Sequence, residues 1–198
     1  MQKAFFNDRY HLTRMAVKGI KTNTRRIEGD RQFQLAATAA EDFTYEEATG
    51  CVVMCCQGVE IFRHKCRYKV GEVVAVAQCY YNAFSSRRDI PVYGADRTPG
   101  WLNKMFVRAD LMPHQIRITG IRCERLQDIS DEECIKEGVY AGSQALEYPY
   151  YFIDTKQFLI CDYKSPREAF AALIDKVSGR GTWDRNPWVV AYEFELVK

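Results

Sequence analysis

The stretch VKGIKTNTRRI, residues 17–27, places Lys18, Lys21, Arg25 and Arg26 in eleven positions, with Gly19, Thr22 and Thr24 among them. A threonine hydroxyl becomes a nucleophile once a base takes its proton. A lysine amine can be that base when burial or neighbouring positive charge lowers its pKa. Arg25 and Arg26 would supply such charge to Lys21, with Thr24 as the nucleophile. The same residues suit a solvated basic edge or a phosphate-binding edge, and spacing alone does not choose. Glu137 stands out for a different reason. It lies directly before Gly138, in the last turn of a short helix, where the partial negative charge of the helix terminus disfavours a carboxylate by a few tenths to about 1 kcal/mol. Broken local rules mark functional residues, but an exposed glutamate at a helix end is also common and harmless. On that ground alone the harmless reading is the more economical.

The elements that must position these residues are legible in outline. LTRMAVKG predicts a short helix with Leu12, Met15 and Ala16 inward, ended by Gly19 in the left-handed conformation. The basic stretch begins where that helix stops. YKVGEVVAVAQ turns at Gly71 into a β-branched strand, and HQIRITGIRCERL alternates as a strand with Ile116 and Ile118 on one face. DISDEECIKEG carries a capping box, Ser130 with Glu133, and ends at Gly138, which predicts a two-turn helix. SPREAFAALIDKVSG predicts a longer one, capped by Ser165 with Pro166 at its first position and Glu168 completing the box. Its face carries Phe170, Leu173, Ile174 and Val177, and Gly179 ends it. NPWVVAYEFELV closes the chain as a strand with Trp188, Val190, Tyr192, Phe194 and Leu196 on one face. This is α+β composition without repeats, and the polar stretch 28–48 and the tyrosine-rich stretch that follows residue 139 read as excursions from the main sheet.

At 198 residues the chain has room for one well-buried core, so residues 1–198 are expected to form a single domain. A net charge of +2 argues against coating nucleic acid through a large positive field, and any such contact must come from a local patch. No apolar run approaches the roughly 18 residues of a membrane span, and MQKAFFNDRY does not read as a secretory signal; no membrane partner and a cytoplasmic location are expected. The eight cysteines are then expected to be reduced. Cys51, Cys55, Cys56, His64 and Cys66 invite a zinc reading, but CVVMCCQGVEIFRH reads more simply as a hairpin turning at Gln57 and Gly58, with Cys55 and Cys56 on opposite faces. Neither H-E-x-x-H nor a phosphate-binding glycine loop is present, and His11, His64 and His114 are far apart. Trp101, Trp183 and Trp188 read as core or rim aromatics, with Trp188, at the start of the closing strand, a candidate ligand contact.

Four stretches together resemble the ASCH domain family, whose members adopt a PUA-like β-barrel. FNDRYHLTRMAVKGIKTNTRRI resembles the family opening, a short helix and then G-x-K-x-x-T-x-R, met by Gly19, Lys21, Thr24 and Arg26. YKVGEVVAVAQ resembles the strand after a V-G-D type turn, with Glu72 in place of the commoner Asp. ITGIRCERLQDISDEECIKEGV resembles the strand and helix ending in Glu and Gly, which puts Glu137 in the family's acidic position. FAALIDKVSGRGTWDRNPWVVAYEFELV resembles the closing helix and strand of larger ASCH proteins of bacteriophages and their hosts. The resemblance implies a PUA-like barrel with short flanking helices and two insertions, near 28–50 and 139–164. The chain is longer than the small ASCH hydrolases and lacks an M-P-R-type motif before residue 115.

Some ASCH proteins are amidohydrolases that remove an acyl group from the exocyclic amine of modified cytidine with a threonine, a lysine and a glutamate. Carried over, Thr24 is the nucleophile, Lys21 its base and later proton donor, and Glu137 orients Lys21 or polarises substrate, with no metal or cofactor. Lys21, Thr24 and Glu137 should then converge on one concave site, Lys21 and Thr24 within hydrogen-bond reach. Alanine at Lys21 or Thr24 should leave the fold intact, since neither lies on a predicted core face. The expected partner is a nucleoside or RNA. A noncatalytic RNA-binding module, with Lys21, Arg25 and Arg26 on phosphate and Tyr or Trp side chains such as Trp188 stacking bases, is the alternative, and a ribonuclease using the same basic cleft is a third reading.

Overall fold

The computed structural model describes residues 1–28, 30–84, 89, 94–142, 151–154 and 159–198. Of the tyrosine-rich stretch 140–163, residues 143–150 and 155–158 lie outside them. The fold is α+β. Its main sheet has the order β1 (Lys3–Ala4), β6 (Val73–Val76), β7 (Gln115–Arg125), β11 (Trp188–Leu196) and β2 (Asn23–Arg26), antiparallel except for β1 beside β6. A second sheet is β3 (Asp42–Glu46), β4 (Cys51–Cys56) and β5 (Val59–Lys65), and a third is β8 (Tyr140–Ala141), β9 (Tyr151–Asp154) and β10 (Leu159–Tyr163). Among the described residues the main sheet stays open, with β1 and β2 as its edges, so these strands do not form the closed barrel expected from the sequence. The stretch 28–48 contributes α2 (Arg31–Ala39) and β3 to the second sheet region, and 139–164 contributes the third sheet. No helix among the described residues is long and apolar enough to cross a membrane.

Local chemistry explains most elements. Gln57 and Gly58 both take positive φ, 51° and 74°, which matches the right-handed twist of β4 and β5 across a two-residue turn. Ile116 and Ile118 face inward, each 1% exposed. β11 departs from simple alternation: Val189, Val190, Ala191 and Tyr192 are all buried, because the strand is central and both its faces are covered. On its expected inward face Val190, Tyr192 and Phe194 are buried, while Trp188 is half-buried and Leu196 36% exposed. The remaining helices are α1 (Leu12–Val17), α3 (Tyr80–Ala83), α4 (Asp131–Glu137), α5 (Pro166–Ser178) and α6 (Thr182–Arg185). α4 has its complete capping box between Ser130 and Glu133. In α5 Ser165 accepts from the Glu168 N–H at 3.1 Å, but the Glu168 carboxylate reaches back one residue further than expected, to the Lys164 N–H at 2.9 Å. On α5, Phe170, Leu173 and Ile174 are buried as expected, whereas Val177 is 39% exposed.

Candidate functional site

The site forms where the ends of α1 and α4 meet the edge strand β2. α1 stops in a tight turn: Gly19, at φ +69°, donates to the Ala16 carbonyl at 3.0 Å, and Ile20 and Lys21 both donate to the Met15 carbonyl, at 3.0 and 3.2 Å. The next residue is clamped from two sides, since the Thr22 N–H donates to the Lys136 carbonyl at 3.0 Å and its carbonyl accepts from Phe194 at 2.8 Å. β2 thus starts against the last turn of α4. Gly138 permits the approach. Its φ is +119°, and a Cβ there would lie 2.6 Å from Leu12 Cδ2 of α1.

Lys21, 2% exposed, fills this junction. Its Nζ donates to the Asn23 carbonyl at 2.6 Å, the Glu137 carbonyl at 2.6 Å and Glu137 Oε2 at 2.7 Å, which uses all three N–H bonds of an ammonium. It also lies over the Phe6 ring, 5.7 Å from the centroid. One cation therefore satisfies both the terminal carbonyl of α4 and the carboxylate that its helix end disfavours. The other carboxylate oxygen, Glu137 Oε1, accepts from Arg25 Nη1 at 3.2 Å. Arg25 is itself spread over three acids, with Glu124 at 2.6 Å and Glu133 at 2.8 Å. Arg122 extends the network to Glu124 at 2.6 Å and to Glu133 and Glu193. Burial pulls the Lys21 ammonium below its ordinary pKa; Glu137 opposes that shift, and Arg26 and Arg25 add to it. Burial alone would raise the Glu137 carboxyl, but Lys21 and Arg25 together outweigh it and hold the group below the usual carboxylate range.

A cavity of about 420 Å³ opens over the junction and brings together Lys21, Thr24, Arg25, Arg26 and Glu137. That volume falls within the roughly 300–1,000 Å³ of small-molecule sites. The five residues come from both ends of the chain's first 137 positions, and the expected convergence is what the structure places. Two expectations need correction. No hydrogen bond joins Lys21 to Thr24, because the ammonium is already fully engaged, and Thr24, 8% exposed, makes no side-chain hydrogen bond among the described residues. Lys21 and Thr24 are also both buried, contrary to the expectation that neither lies on a core face. Arg26 donates from Nη2 to the Phe5 carbonyl at 2.6 Å, while its buried Nε has no acceptor.

Trp188 does not line the cavity. Its backbone is held by the Gln34 carboxamide, with both hydrogen bonds at 2.9 Å, its indole donates to Thr38, and its ring packs on Phe43 and under Arg125. Register explains this: Trp188 pairs with Arg125 at the end of β7, beside the second sheet. Sequence reasoning missed Phe5, Phe6 and Asn7 of the N-terminal segment and the α5 face, all of which line the cavity. It also missed Glu124 and Glu133, although Arg122 and Glu124, two apart on one strand, share a face of β7. A separate cavity of about 440 Å³ lies against α1, lined by Asp8, His11, Arg14, Gln78 and His114 among others, and contains none of the predicted site residues.

Among the described residues no three His, Cys, Asp or Glu side chains are grouped to hold a metal ion, and the described cysteines are unbridged. Of the set that invited a zinc reading, His64 turns to Glu28, with Nε2 3.3 Å from Oε2. Comparisons with family models, with curated proteins and with solved structures find no match to this chain.

Proposed function

We propose that the cavity binds a nucleoside and hydrolyses an acyl amide on its exocyclic amine without a metal, as the resemblance to PUA-like ASCH amidohydrolases implies. The observation that carries this reading is the convergence of Lys21, Thr24 and Glu137 on one cavity, with the lysine and glutamate buried as a pair. For Lys21 to act it must lose a proton, and burial favours that loss. The neutral amine keeps two N–H bonds for Glu137 and a carbonyl and turns its lone pair to the Thr24 hydroxyl. Thr24 Oγ1 then bonds to the amide carbon as its proton passes to Lys21 and the carbonyl π pair moves to oxygen. The Arg26 Nε, a buried donor without an acceptor, suits that oxygen. Collapse breaks the C–N bond, Lys21 returns the proton to the leaving amine, and water hydrolyses the threonine ester to a carboxylic acid, restoring Thr24. The reaction belongs in a cytoplasmic, nucleoside-handling role.

Charge placement favours a neutral ligand over an RNA backbone. Arg25 is enclosed by Glu124, Glu133 and Glu137, and Lys21 by Glu137, so of the three cations in the cavity only Arg26, without an ion pair among the described residues, is left for a phosphate. One observation favours the noncatalytic alternative: Lys21 is fully engaged as an ammonium and makes no bond to Thr24. Wild type and Thr24→Ala assayed against acylated cytidines and short RNAs separate the two. Salt-insensitive turnover that Thr24→Ala abolishes is expected. Salt-sensitive RNA binding unaffected by Thr24→Ala, with no nucleoside turned over, would sink the hydrolase.

A further inference from the structure

We infer that α5 supplies an acyl-binding wall, and that the preferred amides carry acyl groups of butanoyl size or larger, aromatic ones included; this rests on the amidohydrolase reading above. The cavity has two kinds of lining. β2 and the end of α4 contribute charged and hydroxyl groups, whereas α5 contributes Phe170, Leu173, Ile174 and Val177. Those four recur at i, i+3, i+4 and i+7, one stripe of the helix. A stripe that served only the core would be buried throughout. Here exposure rises along it, from 2% at Phe170 and Leu173 through 8% at Ile174 to 39% at Val177, so the apolar face emerges from the core into the cavity. Phe6 joins the two halves: its ring is buried, lines the cavity and lies under the Lys21 ammonium.

A ribose presents polar groups, and a base gains most from an accessible aromatic ring, whereas the exposed end of the stripe is aliphatic and its one aromatic, Phe170, is 2% exposed. The acyl substituent is the part of such a substrate that gains from this wall. It is bonded to the carbon that Thr24 attacks, so a wall sharing the Thr24 cavity reads it directly. Removing one methylene from water favours binding about fourfold, and a wall of this kind turns chain length into transition-state affinity where the chain stays against it.

The test is kcat/KM of the whole protein on acetyl, butanoyl, hexanoyl and benzoyl amides of cytidine, for wild type and for Val177→Trp. Val177 is exposed enough that tryptophan there does not enter the packed core. In wild type kcat/KM should rise about fourfold per methylene from acetyl to butanoyl, with benzoyl above acetyl. In Val177→Trp the hexanoyl to acetyl ratio should fall at least tenfold. Turnover of the acetyl amide with no gain from longer or aromatic groups, or a ratio unmoved by Val177→Trp, overturns the wall and leaves the hydrolase standing. No turnover of any amide overturns both.

Discussion

Glu137 occupies a helix end that disfavours its charge, and Lys21 is the reason it can. Removing Glu137 leaves Lys21 buried with carbonyl acceptors alone, and removing Lys21 leaves the buried Glu137 carboxylate with Arg25 alone. Lys21→Ala is therefore expected to lower stability by about 3–5 kcal/mol, whereas Thr24→Ala should lower it by less than about 1 kcal/mol. Urea denaturation of both variants checks this, and equal midpoints would contradict the buried pair. The loss of activity in Lys21→Ala will then mix folding with chemistry, so Thr24→Ala is the cleaner probe of catalysis. The pH dependence has a definite sign. The folded Glu137 carboxyl is depressed, so its stabilisation is present above the ordinary carboxylate value of about 4.3 and is lost as pH falls through the folded value. The folded Lys21 ammonium is also depressed. Between its folded pKa and the ordinary value of about 10.4 the unfolded chain binds more protons, and stability from this group rises with pH. Turnover should rise with pH along a limb lying below pH 10.4, as Lys21 becomes neutral. Denaturation midpoints and kcat/KM measured across pH test both.

At the scale of elements, the site depends on α4 ending against α1. Gly138→Ala combines a positive φ with a contact to Leu12 and should cost about 1–3 kcal/mol or more, with a larger loss of kcat/KM than Ser130→Ala at the other end of the same helix. Thermal melts and kinetics of the two variants make the comparison. Both positions were legible in the sequence. Ser130 with Glu133 marks the start of α4 and Gly138 its stop, just as Gly19 and Gly71 mark turns by a positive φ that glycine takes without strain. Of the groups that hold Lys21, only the Glu137 carboxylate was legible, and that through the family resemblance. Two of its three acceptors are main-chain carbonyls, which every residue carries, and the third lies 116 residues away. The α5 stripe was visible as an apolar period, but a period does not distinguish a core face from a cavity wall. That difference lies in what the neighbouring elements leave uncovered.

At the scale of the whole molecule, the second sheet is fastened to the main one by groups that do not line the cavity. Trp188 is one fastening, through Phe43, Gln34 and Thr38. A second is the Tyr192 hydroxyl, which donates to Glu28 at 2.8 Å and accepts from the Arg67 N–H at 3.0 Å, while His64 of β5 reaches the same Glu28. The sequence places Trp188 at the start of a strand bordering the site and so makes it a plausible base platform. Only the pairing with Arg125 shows which end of the sheet it occupies. The two roles predict opposite outcomes for Trp188→Ala. A stacking platform contributes about 1–3 kcal/mol per base, so its loss would raise KM by about 5- to 150-fold with little change in stability. A fastening between sheets, with the ring half-buried against Phe43 and Arg125, should instead lower stability by about 3 kcal/mol, the low end for removing a large aromatic. KM should then stay within about twofold below the melting transition, because the indole's partners Thr38, Phe43 and Arg125 do not line the cavity. Denaturation and steady-state kinetics on one preparation decide the matter, and a raised KM at unchanged stability would return Trp188 to the binding site.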